Sequence, residues 1–427
     1  MPVKRKLHMV YADEQGRVFD DPRYLALVRT GEQLTPPSSD EWIPLPHGAT
    51  LVGLPDSRAL GSDPGTGEVK ALPSSCQAVG ALLPQGYTRL YLPAYFKAAD
   101  KPPFPLFGYT AVGFADGRFY VAAHRTDEPA SWDPLQYTQE QTAERVAELT
   151  AAFPANRLYG HLMHCAMSYE CVTARNTFFQ RGEGALPVSS TCNAACVGCI
   201  SEQDEASGFP SPQTRLTLRP TVDEMVELMV EHLQKAGAAG IISFGQGCEG
   251  EPATRGSEIA QAIARVRQQI RTGYININTN AGLTHQIQRI VDAGLDLMRI
   301  STISAIPAHY DAYYKPRGYT VASVEHSAAY AAEHGVMVSL NYLVFPGVTD
   351  QWDELEAIAG LINRTGIRLV QVRNLNIDPD YYLSRIPRPK STPIGMLRWM
   401  KELKTRCPNL RLGSYTHVPD WFQTPVV

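Results

Sequence analysis

From about residue 185 onward, short apolar runs alternate with longer amphipathic stretches. The runs are Ala185–Val188, Gly240–Phe244, Tyr274–Ile277, Leu297–Ile300, Val336–Phe345 and Leu369–Val372, lengths that suit buried strands better than helices. The stretches between them carry helix signals. Thr221 and Glu224 make a capping box, and Val222, Met225, Val226, Met229, Val230 and Leu233 then recur at helical spacing up to Gly237. Ser257 opens the next predicted helix, and Thr284 a third that ends before Gly294. Residues 321–334 and 350–364 supply two more, and Thr392-Pro393 offers a cap and a first-turn proline for the last. Six strand-then-helix units predict an α/β fold with a parallel sheet, because parallel strands need long crossovers.

The N-terminal part reads differently. Residues 34–105 are rich in Pro, Gly and Ser, with short apolar stretches at Thr50–Leu54 and Arg89–Leu92. Tyr109–Phe114 and Arg118–Ala123 flank Ala115-Asp116-Gly117, a hairpin signal with glycine where positive φ is needed. Thr138 with Gln141 predicts a capped helix to about Ala152, and a second helical segment is expected over Leu158–Phe179. The Arg181–Gly184 stretch suggests a boundary. The expected division is therefore a smaller, irregular β-rich α+β domain over residues 1–182, closed by helices, and an α/β domain over 183–427.

Composition adds limits. With 427 residues, 44% hydrophobic and 19% charged, the balance is that of a globular protein, not a disordered chain or a coiled-coil rod. The formal net charge of −4 and the lack of a basic tract argue against a nucleic-acid partner. No apolar run approaches the roughly 18–20 residues of a membrane span. The basic Lys4-Arg5-Lys6 is not followed by an apolar stretch, so no secretory signal is expected and a cytoplasmic location is.

The eight cysteines then change the picture. They are Cys76, Cys165, Cys171, Cys192, Cys196, Cys199, Cys248 and Cys407. Three of them form C-x3-C-x2-C directly after the first strand of the α/β region, as Cys192-Asn193-Ala194-Ala195-Cys196-Val197-Gly198-Cys199. Three thiolates on one short loop can each bind one iron of a [4Fe–4S] cluster and leave the fourth iron open to a small molecule. The competing readings are a zinc site or chance clustering. Structural zinc wants four ligands, usually as two separated pairs, and a second C-x2-C is missing.

This loop resembles the signature of the radical S-adenosylmethionine (SAM) superfamily, whose fold is a partial (β/α)6 TIM-like barrel. The resemblance covers about residues 185–415. It departs from the family's pattern at Gly198, where an aromatic residue near the adenine is common. It implies a [4Fe–4S] cluster on Cys192, Cys196 and Cys199, and SAM as the molecule on the open iron. Further motifs follow at the strand ends, where a β/α barrel forms its active site. Gly250-Glu251-Pro252 looks like the family's motif for the amino group of SAM; the alternative is a turn in which Glu251 caps a helix. Asn280, in Asn278-Thr279-Asn280-Ala281-Gly282, could bond the ribose hydroxyls or make an Asx turn. Ser301 and Ser304 resemble a segment that reaches the ribose or carboxylate of SAM. Arg317 could pair with that carboxylate, or be a solvated loop arginine. The family counterpart of Leu343–Val348 packs against adenine. Arg373, Asn374 and Asn376 are candidates for SAM or substrate contact, or for local capping of the following loop.

The resemblance implies an oxygen-sensitive enzyme that cleaves SAM reductively to a 5′-deoxyadenosyl radical, which takes hydrogen from a small-molecule or peptide substrate. An electron donor such as flavodoxin or ferredoxin is implied as partner. The first step needs no strong acid or base, so no catalytic base is nominated; Cys248, beside Glu249, could donate a hydrogen atom, ligate something, or be a small buried cysteine. Cys165 and Cys171, with Cys76 or His164, could hold a second metal centre, although on one continuous helix they would point apart. Two alternatives stand: a non-catalytic iron–sulfur electron carrier or sensor, and an RNA-modifying radical SAM enzyme.

Overall fold

The computed structural model describes residues 6–128 and 136–423; Lys4 and Arg5 of the basic N-terminal triplet lie outside them. Two compact units emerge from the contacts. One comprises residues 6–128 with Leu343–Glu356 and Val372–Arg406, and the other takes the remaining described residues. The helices over 139–179 therefore group with the parallel sheet.

In the first unit, an eleven-stranded antiparallel sheet runs through strands 87–89, 118–125, 109–115, 77–82, 8–12, 18–26, 57–62 and 95–97 in that order, with three short strands off this path. Its core residues pair up two apart, as Val10 and Ala12, Val79 and Ala81, Val121 and Ala123, because alternate residues share one face of a strand. The expected hairpin is present: Ala115 pairs with Arg118, and Asp116 and Gly117 both take positive φ, at 50° and 73°, as a two-residue turn matched to strand twist requires.

The second architecture is a seven-stranded sheet whose spatial order is its sequence order. Its strands are β1 (Glu183–Leu186), β2 (Ile241–Phe244), β3 (Tyr274–Thr279), β4 (Leu297–Thr302), β5 (Met337–Val344), β6 (Leu369–Asn374) and β7 (Arg411–Gly413). Pairing is parallel from β1 through β5 and between β6 and β7. Sequential order with helical crossovers is the arrangement of a partial (β/α) barrel. The seventh strand was not expected; three residues are too few for periodicity to reveal.

Helices α1 (Gln139–Ala152), α2 (Arg157–Ser168) and α3 (Val172–Phe179) precede β1, and α4 (Val222–Ala236), α5 (Gly256–Gln269), α6 (Thr284–Asp292), α7 (Pro307–Tyr314), α8 (Val321–Glu333), α9 (Trp352–Thr365), α10 (Pro379–Leu383) and α11 (Met396–Arg406) follow it. The capping boxes at Thr138 and Thr221 are formed as read from the sequence. Three expectations are corrected. The segment over 158–179 is two helices, because Glu170 turns the chain at φ 50° and Cys171 restarts it as an N-cap. Ser257 is not a cap: α5 starts at Gly256, behind a 3-10 turn over Pro252–Arg255 that Glu251 caps. Pro393 lies ahead of α11, which begins at Met396.

The strands carry an alternation that their apolar runs conceal. Ile242, Phe244, Ile275, Ile277, Met298, Ile300, Val338 and Leu340 are buried and by parity share the face opposite Ser243, Asn276, Asn278, Arg299, Ser301, Ser339 and Asn341. The polar face is bonded both within and between elements. Ser243 donates to Glu183 at 2.6 Å and Asn276 to Ser243 at 3.0 Å and Asn278 at 2.9 Å, while Arg299 reaches Thr416 at 2.8 Å. A barrel-type sheet with one polar face supplies a lining for polar ligands rather than a closed apolar core.

Candidate functional site: a cysteine loop at the strand ends

The loop after β1 leads to Cys192, Cys196 and Cys199, each half-buried and free of disulfide. It is held from the far side by α7. The amide N–H of Ala195 donates to the Tyr314 carbonyl at 3.0 Å and that of Val197 to the Tyr313 carbonyl at 2.9 Å. Just beyond α7, the Arg317 amide donates to the Asn193 carbonyl at 2.8 Å and its guanidinium to the Ala194 carbonyl at 3.0 Å. Pro307 opens α7 and fits its first turn, and Tyr310, Tyr313 and Tyr314 recur at helical spacing, all buried.

The loop after β2 holds the other side. Gly250 donates to the Ser189 carbonyl and Glu251 to the Thr191 carbonyl, each at 2.8 Å. Glycine is needed at 250 because a Cβ there would lie 2.1 Å from the Thr191 oxygen. Glu249 ties the two loops through its carboxylate. One oxygen accepts from the amides of Val188 and Ser189, the other from those of Gly245 and Gln246, all at 2.7–2.8 Å. Burial pushes its acid form up to about 7 while the four N–H donors pull the other way.

Glu251 is buried and bonded to its neighbours. One oxygen accepts from Ala253 N–H at 3.0 Å and the Thr279 hydroxyl at 2.5 Å, the other from Asn280 N–H at 2.8 Å. A carboxylate has about four acceptor positions, so room for one further donor remains. Asn280 makes the Asx turn, accepting from Gly282 N–H at 2.9 Å, and its amide nitrogen also donates to the Asn193 side chain at 2.7 Å. Glu251, Asn280 and Arg317 are thus bonded directly to each other or to the cysteine loop, and Pro252 starts the 3-10 turn behind Glu251.

The remaining expected residues sit elsewhere. Ser301 lies at the end of β4 and receives a 3.4 Å bond from Asn341. Ser304 is buried and its hydroxyl accepts from Ile306 N–H at 2.9 Å, at the entry to α7. Asn374, in the first unit, spends its amide on the strand over 87–89, accepting from Arg89 N–H at 2.9 Å and donating to the Tyr87 carbonyl at 3.3 Å, rather than on the loop that follows it. Cys248 is bonded to His161, a contact sequence alone does not signal.

The sequence reading also missed Arg215. Its guanidinium is 3.5 Å from the Cys199 sulfur and donates to Ser201 at 3.1 Å. In the opposite sense, burial pushes the Cys196 thiol well above its ordinary range, and the nearby Cys199 and Cys192 charges add to this. Burial likewise raises Cys192, with the Glu251 charge next. Crowded, desolvated sulfurs with the Arg215 guanidinium beside one of them are short of positive charge. That donor set fits a cationic iron–sulfur group, whose binding would release the thiol protons.

The radical SAM superfamily description matches residues 186–361. No curated protein matches the chain. Among solved structures, the chain is similar to methylornithine synthase PylB, at 12% identity over 65% of this chain and 76% of that one, TM-score 0.36. It is also similar to a radical SAM methyltransferase from Sphaerobacter thermophilus, at 18% identity over 54% and 65%, TM-score 0.36. Streptococcus suis SuiB bound to S-adenosylmethionine matches at 13% identity over 74% and 72%, TM-score 0.36. At such values nothing about substrate transfers. Among the described residues, no helix is long and apolar enough to cross a membrane.

Proposed function

We propose, from the match of residues 186–361 to the radical SAM superfamily, that the chain cleaves SAM reductively and uses the resulting 5′-deoxyadenosyl radical to take hydrogen from a small-molecule or peptide substrate. The observation that carries this is the bonding of the cysteine loop, through Asn193, to Asn280 and so to Glu251. An iron–sulfur carrier that never meets SAM would need Glu251 only as the cap of its 3-10 turn, one of the three bonds its carboxylate accepts. When bound, the cluster supplies the electron that breaks the carbon–sulfur bond of SAM.

The chain's own residues hold and orient. Cys192, Cys196 and Cys199 hold the cluster, and Arg215 offsets negative charge at Cys199. Glu251 uses its free acceptor position for the SAM ammonium, and the other three bonds fix its aim. Ser301, on the polar face of the sheet, is assigned to the ribose, and Arg317, beside Asn193 and Ala194, to the SAM carboxylate. Ser304 and Asn374 have no such role in this reading, because their side chains serve a turn and a neighbouring strand. An external one-electron donor of the ferredoxin or flavodoxin kind would supply that electron.

The test is anaerobic reduction of the reconstituted protein with SAM, followed by chromatography for 5′-deoxyadenosine. Product is expected for the native chain and not for Cys192→Ala. Equal, background-level product from both removes the enzymatic reading and leaves the electron carrier.

A further inference from the structure

A second group of ligand atoms lies outside the cysteine loop. His161 and Cys165 are one turn apart on α2, so they share a face, and Cys248 lies on the loop after β2. His161 Nε2 is 3.3 Å from the Cys248 sulfur and 3.6 Å from the Cys165 sulfur, and all three ligand atoms lie within 4.8 Å of one another. We propose that His161, Cys165 and Cys248 form a second metal site, binding one tetrahedral divalent cation of the zinc type through Nε2 and two sulfurs.

The two nitrogen–sulfur distances suit a mononuclear ion. Zinc–sulfur bonds of about 2.3 Å and zinc–nitrogen bonds of about 2.05 Å at a tetrahedral angle place sulfur and nitrogen about 3.6 Å apart. The two observed separations lie at and just below that value. Thiolate with imidazole is the donor set that favours zinc among common divalent ions. Hydrogen bonding from Cys248 pulls the Cys165 thiol well below its ordinary range, against the effect of burial and with help from His161; Cys248 is raised in turn by Cys165. A cation bound by the two sulfurs would displace any thiol protons to solvent, with no change of oxidation state. Cys165 and Cys248 are buried, but His161 is half-exposed, which gives the ion a way in and leaves the fourth position to water or another small ligand.

The site differs from the pairing suggested by the sequence. Cys171 is the N-cap of α3, its sulfur 3.2 Å from the Thr173 hydroxyl. Cys76 is in the other compact unit, and His164 bonds to Ser168 at 3.2 Å. His161 lies one turn before Cys165 and completes the set instead.

The test uses the full chain with its iron–sulfur cluster intact. Cobalt(II) is added anaerobically, and the thiolate-to-cobalt charge-transfer and tetrahedral d–d absorptions are followed. One equivalent is expected to bind and to be displaced by zinc. His161→Ala and Cys165→Ser are each expected to weaken cobalt binding by at least about tenfold while the iron content and far-ultraviolet circular dichroism stay unchanged. His161→Ala is the safer variant for folding, since that ring is half-exposed. The proposal is overturned if no thiolate–cobalt absorption develops, if it persists unchanged in His161→Ala, or if Cys165→Ser loses iron. Recovery of Cys165 and Cys248 as a disulfide from air-free preparations would also overturn it. None of these outcomes depends on SAM cleavage, so the site stands or falls separately from the proposed activity.

Discussion

Gly250→Ala tests whether the loop after β2 sets the position of the cysteine loop. The new Cβ would lie 2.1 Å from the Thr191 oxygen, 2.5 Å from its carbonyl carbon and 3.2 Å from the Cys192 nitrogen. Ordinary contacts are near 3.5 Å, so backbone must retreat by about 1 Å, and neither side can swing away as a side chain could. Overpacking of this kind costs about 1–3 kcal/mol of stability. The functional effect is larger, because misplacement of reacting groups by about 1 Å can cost about a hundredfold in rate. Gly247→Ala, three residues earlier, is the matched control: its Cβ would meet Ile200 Cδ1 at 2.4 Å, the end of a side chain that can rotate aside. Both proteins are reconstituted anaerobically, their iron measured, and 5′-deoxyadenosine formation followed in time. The expected result is a loss of about a hundredfold in Gly250→Ala, with or without partial loss of iron, and near-native behaviour in Gly247→Ala. Native rates and iron in Gly250→Ala, or equal damage from both, would refute this account of how the loop is positioned.

Three further outcomes are expected. Arg215→Gln removes a positive charge 3.5 Å from the Cys199 sulfur and should make the cluster harder to reduce, seen as a more negative midpoint in an electron-paramagnetic-resonance titration. Glu251→Gln should weaken SAM binding by about 10–100-fold, since a charge-assisted bond to the ammonium is lost, while iron content holds; equilibrium dialysis with labelled SAM measures it. His232 is buried against Gly184, and burial lowers its pKa from 6.5 to about 4. The unfolded chain therefore binds more protons between those values, so stability falls as pH drops through that window. The loss works out at about 2 kcal/mol between pH 7 and 5, and His232→Gln should flatten that part of the melting-temperature profile.

What could be read from the sequence was local. A capping box lies within four residues, so Thr221 and Glu224 announce α4 without help from the rest of the chain. Likewise the C-x3-C-x2-C spacing places three ligands on one loop whatever surrounds it. The polar sheet face was hidden because alternation through Asn276, Asn278 and Arg299 was masked by the aliphatic residues between them. Arg215 and His161 were missed for a different reason: each matters through a sulfur 16 or 87 residues away, and no spacing rule encodes such a meeting. The break at Glu170 was missed because a non-glycine residue takes the left-handed turn there, which propensity does not favour.

The hold of α7 on the cysteine loop has a consequence for how the protein is made. Arg317 and Ala194 are 123 residues apart, and the carbonyls of Tyr313 and Tyr314 are almost as distant from the amides they accept. During synthesis the three cysteines emerge long before the segment that fixes their backbone. Until β4 and α7 have docked, the loop lacks the bonds from Tyr313, Tyr314 and Arg317 and rests on the contacts from the loop after β2. The full set of bonds that fixes the three cysteines therefore forms only after a further stretch of about 120 residues has been made, so the geometry of the loop depends on the sheet's middle strands and not on the motif alone.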